Sequence, residues 1–80
     1  MQVYVVISDT IAYGQRYHGI HGVHRTKESA HKYALSAITG IAQRHCYNVS
    51  TDDIRIEDND YFYENNKVDI VVSCIEQRIL

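Results

Sequence analysis

The sequence has 80 residues, 45% of them apolar and 22% charged, which suits one folded domain spanning residues 1–80 and argues against disorder. The net charge of −2 and the isoelectric point of about 6.2 count against a strongly basic nucleic-acid-binding protein. The start, "MQVYVVIS", lacks the charged region of a signal peptide, and no apolar run approaches the ~20 residues of a membrane span. We therefore expect a cytoplasmic protein that makes no membrane contact.

Two strands are predicted before residue 26. Gln2–Ser8 is rich in β-branched residues and apolar on both faces, as expected of a central strand. The segment "DTIAYGQRYHG" mixes turn residues with isolated apolar ones and predicts a hairpin loop with a wide tip. "GIHGVHR" then predicts a short second strand. Alternation along it places Ile20, Gly22 and His24 on one face and His21, Val23 and Arg25 on the other.

An amphipathic helix is predicted between Thr26 and His45. Its apolar stripe, mostly small residues at helical spacing, consists of Ala30, Tyr33, Ala34, Ala37, Ile38, Ile41 and Ala42. We expect Thr26 to cap the N-terminus, with Glu28 in the first turn and Arg44 in the last, where the helix dipole favours their charges. Gly40 lowers helix propensity, which indicates either a close approach to the sheet or early fraying.

The second half predicts three more strands. "DIRIED" alternates as a strand does, and "YFYENNKVDIVVSCIEQ" indicates a hairpin with a two-residue type I′ turn at Asn65-Asn66. On its second arm one face carries Val68, Ile70, Val72 and Cys74, and the other Asp69, Val71, Ser73 and Ile75. The predicted fold class is therefore α+β: an antiparallel sheet of four to five strands in the order β-β-α-β-β-β, with one helix packed on one face.

The charges are unevenly divided between the two halves. Residues 1–45 carry five basic and two acidic residues, a balance of +3, whereas residues 46–80 carry three basic and eight acidic ones, a balance of −5. Such an acidic hairpin either solubilises a sheet edge or docks on a basic surface of a partner. Its candidate partner-binding residues are Asp58, Asp60, Tyr61, Tyr63 and Glu64. The alternative is a nucleic-acid-binding face formed by Arg16, Arg25, Lys27 and Lys32.

The histidines of "YHGIHGVHR" raise the question of a metal site. On a regular strand His18 and His24 share one face and His21 lies on the other, so the three converge on a metal only if the strand is bulged. We expect His18 and His21 on the solvent side, and no metal or other cofactor. Cys46 and Cys74 are expected to be a loop thiol and a core residue. Without a nucleophile elbow, P-loop or dinucleotide fingerprint, we expect no enzyme activity.

Two segments, Val3–Ile7 and Gly22–Ala30, resemble parts of small tailed-bacteriophage proteins. Those chains open with a V-Y-V-V type strand, pass through a G-V-x-x-T-K-E-x-A junction into a helix, and end in a β-hairpin. The resemblance covers roughly the first half of the chain and carries over no functional residue. It implies an inhibitor in the cytoplasm of an infected bacterium that binds and occludes a host protein, as anti-CRISPR and other anti-defence proteins do. Apolar residues on both faces of the first and last strands are also compatible with a homodimer.

Overall fold

The computed structural model describes residues 1–79, which form one helix and five antiparallel strands and confirm the α+β class. In chain order the elements are β1 (Gln2–Ala12), β2 (Gln15–His24), α1 (Lys27–Arg44), β3 (Arg55–Glu57), β4 (Asp60–Glu64) and β5 (Val68–Arg78). The strands lie in the order β2-β1-β5-β4-β3. The central pair is β1 and β5, which run antiparallel from Gln2 opposite Arg78 to Ala12 opposite Val68.

Helix α1 begins and ends as predicted. The Ser29 backbone N–H donates to the Thr26 hydroxyl at 3.1 Å, which satisfies one of the free donors of the first turn. The helix buries one stripe against the sheet: Ala30, Ala34, Ile38, Ile41 and Ala42. Gly40 neither approaches the sheet nor ends the helix, because the helix continues to Arg44 and a Cβ at position 40 would meet nothing within 4 Å.

The main core lies between α1 and one side of the sheet, and Val3, on the other side, is buried apart from it. As predicted, alternate residues of β5 are buried under α1: Val68, Ile70, Val72 and Cys74. The residues between them lie on the opposite side, where Asp69 and Ile75 are exposed and Val71 is half-buried. We call this uncovered side the open face. On the open face the side chains of all five strands form one surface, and no helix covers it.

The β1–β2 connection differs from the predicted wide loop. Strand β1 continues to Ala12, and the turn consists of Tyr13 and Gly14 alone, with φ of 53° and 80°. Two positive φ angles are what a two-residue type I′ hairpin requires. Gly14 adopts this conformation without steric cost, while Tyr13 donates its backbone N–H to the Lys67 carbonyl at 3.2 Å.

A β-bulge in β2 overturns the predicted alternation of the histidine segment. Ile20 lies opposite Ile7 and Gly22 lies opposite Val6, so His21 is an extra residue. Because each extra residue exchanges the faces that follow it, Ile20 and Val23 lie together on the open face. His21 therefore lies on the helix side and not, as predicted, on the solvent side.

The bounds of β3 and the type of the last turn differ from their predictions. Strand β3 covers only Arg55–Glu57, and Asp53 belongs to a 3-10 turn. The last turn lies at Asn65 and Asn66 as predicted, but neither residue has a positive φ, so the turn is not type I′. Instead the Asn65 side-chain oxygen accepts the backbone N–H groups of Lys67 at 2.8 Å and Val68 at 3.0 Å. This side chain replaces the backbone turn that the sequence indicates.

Candidate functional site

The open face carries an apolar patch across its three longest strands. Cross-strand neighbours form two rows, Val23–Val5–Ile75 and Ile20–Ile7. The exposed fraction is 78% for Ile20, 62% for Val23 and 43% for Ile75. Contiguous exposed apolar groups on a small protein mark interaction surfaces, because leaving them in water costs free energy. We call these five residues the apolar patch.

An acidic groove lies beside the apolar patch, where β3, β4 and β5 meet. Its volume is about 300 Å³, and it is lined by Asp53, Arg55, Phe62, Glu64, Asp69 and Val71. The Arg55 guanidinium lies over the Phe62 ring, 4.6 Å from its centroid, and 3.4 Å from the Glu57 carboxylate. The groove therefore combines an aromatic floor with three carboxylate-bearing residues against one guanidinium. This arrangement favours a positively charged side chain.

Two pairs of carboxylates in this region lie directly opposite each other across neighbouring strands. Glu64 on β4 pairs with Asp69 on β5, and Glu57 on β3 pairs with Asp60 on β4. Like charges in directly opposed positions destabilise a sheet. Arg55 offsets part of the second repulsion through its contact with Glu57.

The structure divides the predicted acidic hairpin between two faces. Asp58 lies in the β3–β4 turn with a φ of 53°, and Asp60 and Glu64 lie on the open face. Tyr61 lies beneath α1, only 5% exposed, with its hydroxyl 2.6 Å from His31 Nδ1. Burial raises the pKa of Tyr61, so its hydroxyl stays protonated. Tyr61 thus anchors the hairpin to the core and is not accessible to a partner.

Tyr63 shares the helix-facing side of β4. It packs against the buried core, and its hydroxyl accepts the Asn65 side-chain N–H at 3.2 Å. The five residues predicted from the hairpin therefore do not form one surface. Its acidic members remain candidates for partner contact, and both tyrosines are structural.

The predicted nucleic-acid-binding residues are also separated. Arg16 lies at the start of β2, 3.8 Å from Asp9, whereas Arg25 follows the end of this strand. At about 3.3 Å per residue the two positions are roughly 30 Å apart. Lys27 and Lys32 lie on α1, near the Arg25 end. No continuous basic stripe joins these four positions within residues 1–79.

Each histidine of the "YHGIHGVHR" segment has its own partner. His18 Nδ1 lies 3.5 Å from the Asp9 carboxylate, His21 Nε2 lies 2.7 Å from Ser8 Oγ, and His24 Nδ1 lies 2.8 Å from Ser29 Oγ. The three imidazoles therefore do not converge. In the part of the chain that the structure describes, no three His, Cys, Asp or Glu side chains are gathered to hold a metal ion.

The two cysteines lie where the sequence predicts them. Cys46 is exposed just after α1, Cys74 is buried in the core, and both are free thiols. Burial raises the pKa of Cys74, with a smaller contribution from Asp60, so this thiol is protonated and a poor nucleophile at neutral pH.

Comparisons with protein-family models, curated proteins and solved structures found no match for the chain. The resemblance to tailed-bacteriophage proteins stays a prediction. Helix α1 is too short or too polar to cross a membrane, and no other α-helix is found in residues 1–79.

The sequence prediction missed the apolar patch as a site. The exposed position of Ile75 could have been predicted, because it alternates with the buried residues of β5. Ile20 and Val23 were not, because the bulge that brings them to one face leaves no mark on the alternation itself.

Proposed function

We propose that the chain is a protein-binding module that docks its open face on a partner and occludes the surface it covers. The observation that supports this function is the apolar patch, in which Ile20, Val23 and Ile75 are exposed on an uncovered side of the sheet. Burial of such side chains provides most of the free energy of protein association. The module acts by contact and not by catalysis.

The acidic groove supports a specific chemistry for the partner. Glu64 and Asp69 repel each other across the β4–β5 pair, and a lysine or arginine inserted between them relieves this repulsion beside the Arg55–Phe62 contact. The partner therefore presents an apolar surface with a basic residue at its margin. Charge complementarity of this kind sets the orientation and accelerates association.

The resemblance to tailed-bacteriophage proteins suggests the class of partner. On that basis the target is a bacterial host protein, and a defence protein, such as a CRISPR effector, is the natural object of inhibition. The acidic groove then occupies a basic surface that the target uses for nucleic acid, since phosphate-binding surfaces are rich in lysine and arginine.

Affinity capture from a bacterial lysate tests this function with two matched variants. Glu64→Lys with Asp69→Lys reverses the charge of the groove but keeps a like-charged cross-strand pair, so the fold is little affected. Glu28→Lys with Glu76→Lys makes the same change in net charge at exposed sites off the open face, on α1 and on the Tyr4 side of β5. We expect a stoichiometric partner to be retained by the control and bound about tenfold or more weakly by the groove variant.

Four outcomes would contradict the proposal. Equal capture by both variants would exclude the groove, and equal capture by an Ile20→Ser, Val23→Ser variant would exclude the apolar patch as well. Nucleic acid recovered only at low salt would favour the basic alternative, because phosphate binding weakens steeply with salt. Recovery of neither partner would remove the function. Circular dichroism of each variant is the control for retention of the fold.

A further inference from the structure

A second cleft lies on the helix side of the sheet, where the C-terminal end of α1 meets β1 and β2. We call it the helix-end cleft. Its volume is about 350 Å³, and it is lined by Ser8, Thr10, Tyr17, His18, Gly19, His21, Ile41, Arg44 and His45. This volume lies at the lower end of the range of small-molecule sites. Apart from His18, the lining residues of the cleft lie on the opposite side of the sheet from the open face.

The lining of the cleft is positively charged, in a protein whose net charge is −2. It includes the Arg44 guanidinium, the His21 and His45 imidazoles and the hydroxyl groups of Ser8, Thr10 and Tyr17, and no carboxylate. The nearest acidic residue along β1 is Asp9, which lies between Ser8 and Thr10 and therefore points to the open face. There its carboxylate lies 3.8 Å from Arg16 and 3.5 Å from the His18 ring, so its charge is balanced on the open face.

Hydrogen bonds at the C-terminal end of α1 also favour an anion in the cleft. A helix C-terminus repels anions through its free carbonyl groups. Here the Ala42 carbonyl accepts the backbone N–H groups of His45 and Tyr47, and the Gln43 carbonyl accepts that of Cys46, at 2.9–3.0 Å. These bonds satisfy two carbonyl groups of the last turn and reduce the repulsion.

His21 is held in place within the cleft. Its Nε2 lies 2.7 Å from the hydroxyl of buried Ser8, which fixes the ring orientation. Desolvation lowers the pKa of His21, and the nearby Arg44 guanidinium lowers it further. An anion between these two groups reverses the effect of Arg44 and draws a proton onto the ring.

An aromatic wall borders the same space. The His45 ring lies 6.2 Å from the ring centroids of both Tyr13 and Tyr17. Tyr17 also lines the cleft, and Ile41 contributes an apolar surface. The cleft thus combines the charged Arg44 guanidinium and two imidazoles with an aromatic surface next to His45.

We propose that the helix-end cleft binds a phosphate monoester, with its phosphate group between Arg44, His21 and His45 and its organic part against Tyr17. Arginine binds phosphate oxygens through paired N–H donors, and imidazole and hydroxyl groups complete the set. The size of the cleft suits a small ester such as a nucleoside monophosphate more than a polymer.

Nuclear magnetic resonance titration tests the ligand class with three probes: inorganic phosphate, adenosine monophosphate and adenosine. We expect both phosphates to shift the His21 signals and to raise its pKa, the ester to bind more tightly, and adenosine to leave the cleft signals unchanged. Equal affinity for phosphate and ester would overturn the assignment to an ester. Equal shifts with adenosine would overturn the role of the phosphate group, and no shift at millimolar ester would overturn the site.

Matched charge variants test the residues. Arg44→Gln and Lys32→Gln each remove one positive charge from an exposed position of α1, but only Arg44 lines the cleft. We expect Arg44→Gln to weaken binding of adenosine monophosphate by about tenfold and Lys32→Gln to leave it unchanged. Equal weakening would indicate a long-range effect of net charge and overturn the site. The Glu64→Lys, Asp69→Lys variant separates the two proposals, because it should retain phosphate binding while losing the protein partner.

Discussion

Single side chains in this protein take their roles from the partner that the fold supplies. His18, His21 and His24 are equally spaced in the sequence, yet one contacts a carboxylate and two contact serine hydroxyls. Tyr61 and Asp60 are adjacent, yet one is in the core and the other on the open face. The period of two alone separates Tyr61 and Tyr63 from Asp60 and Glu64, so this division was available in the sequence. The hydrogen bond between Tyr61 and His31 was not, because it depends on the packing of α1.

His21 makes the stability of the fold depend on pH. Its pKa is lowered in the folded protein, so the unfolded chain takes up the proton first as the pH falls. The contribution is therefore fully present above the ordinary histidine pKa of about 6.5 and is lost as the pH falls from there through the folded pKa. We expect urea unfolding at pH 7.5, 6.5 and 5.5 to show a decline that is smaller in His21→Gln. Identical declines in the two proteins would assign the effect to other groups.

At the scale of elements, the pattern of apolar residues predicted every strand and the helix, and local backbone geometry decided where they end. The Thr26 cap and the alternation of β5 follow from local rules and were confirmed. The Tyr13-Gly14 turn was missed because tyrosine is not a typical residue at positive φ. The bulge at His21 was missed because one extra residue costs little locally and is fixed by pairing with β1.

Two glycines with equal space around them should respond oppositely to the same substitution. A Cβ meets nothing within 4 Å at either Gly40 or Gly14, but Gly40 is helical and Gly14 has a φ of 80°. We expect Gly40→Ala to raise the free energy of unfolding by up to about 1 kcal/mol, because alanine favours the helix. Gly14→Ala should lower it by about 1 kcal/mol, because its side chain strains a left-handed backbone. Thermal unfolding of both variants checks the signs; stabilisation by both would contradict the argument.

At the scale of the whole molecule, the largest fully buried side chains lie between α1 and one side of the sheet. The pattern of apolar residues predicted the single helix layer. It could not predict that Val23, Val5 and Ile75 become neighbours, because this depends on the strand order β2-β1-β5-β4-β3. The hairpins could be predicted because their strands are adjacent in the sequence. The pairing of β1 with β5 could not, because no local pattern connects these two distant segments.

The one-sided core makes the same substitution costly on one face and nearly neutral on the other. Ile70 is fully buried beneath α1, and Ile20 is 78% exposed on the open face. We expect Ile70→Val to lower the free energy of unfolding by about 0.5–1.5 kcal/mol, since it removes a packed methyl group. Ile20→Val should change it by less than about 0.5 kcal/mol. Chemical denaturation measures both values, and a comparable loss at the two positions would mean that the open face is covered in solution.

The central position of β5 also determines when the chain can fold during synthesis. The helix has its apolar partners on the last strand, where Val68, Ile70, Val72 and Cys74 form much of the surface that α1 covers. During synthesis on a ribosome, the first hairpin and the helix emerge before that surface exists. A nascent chain that ends before residue 68 therefore has little apolar area to bury, and the sheet closes only when its two most distant strands meet. The sheet therefore cannot form before β5 is present, and a variant truncated before residue 68 should not fold.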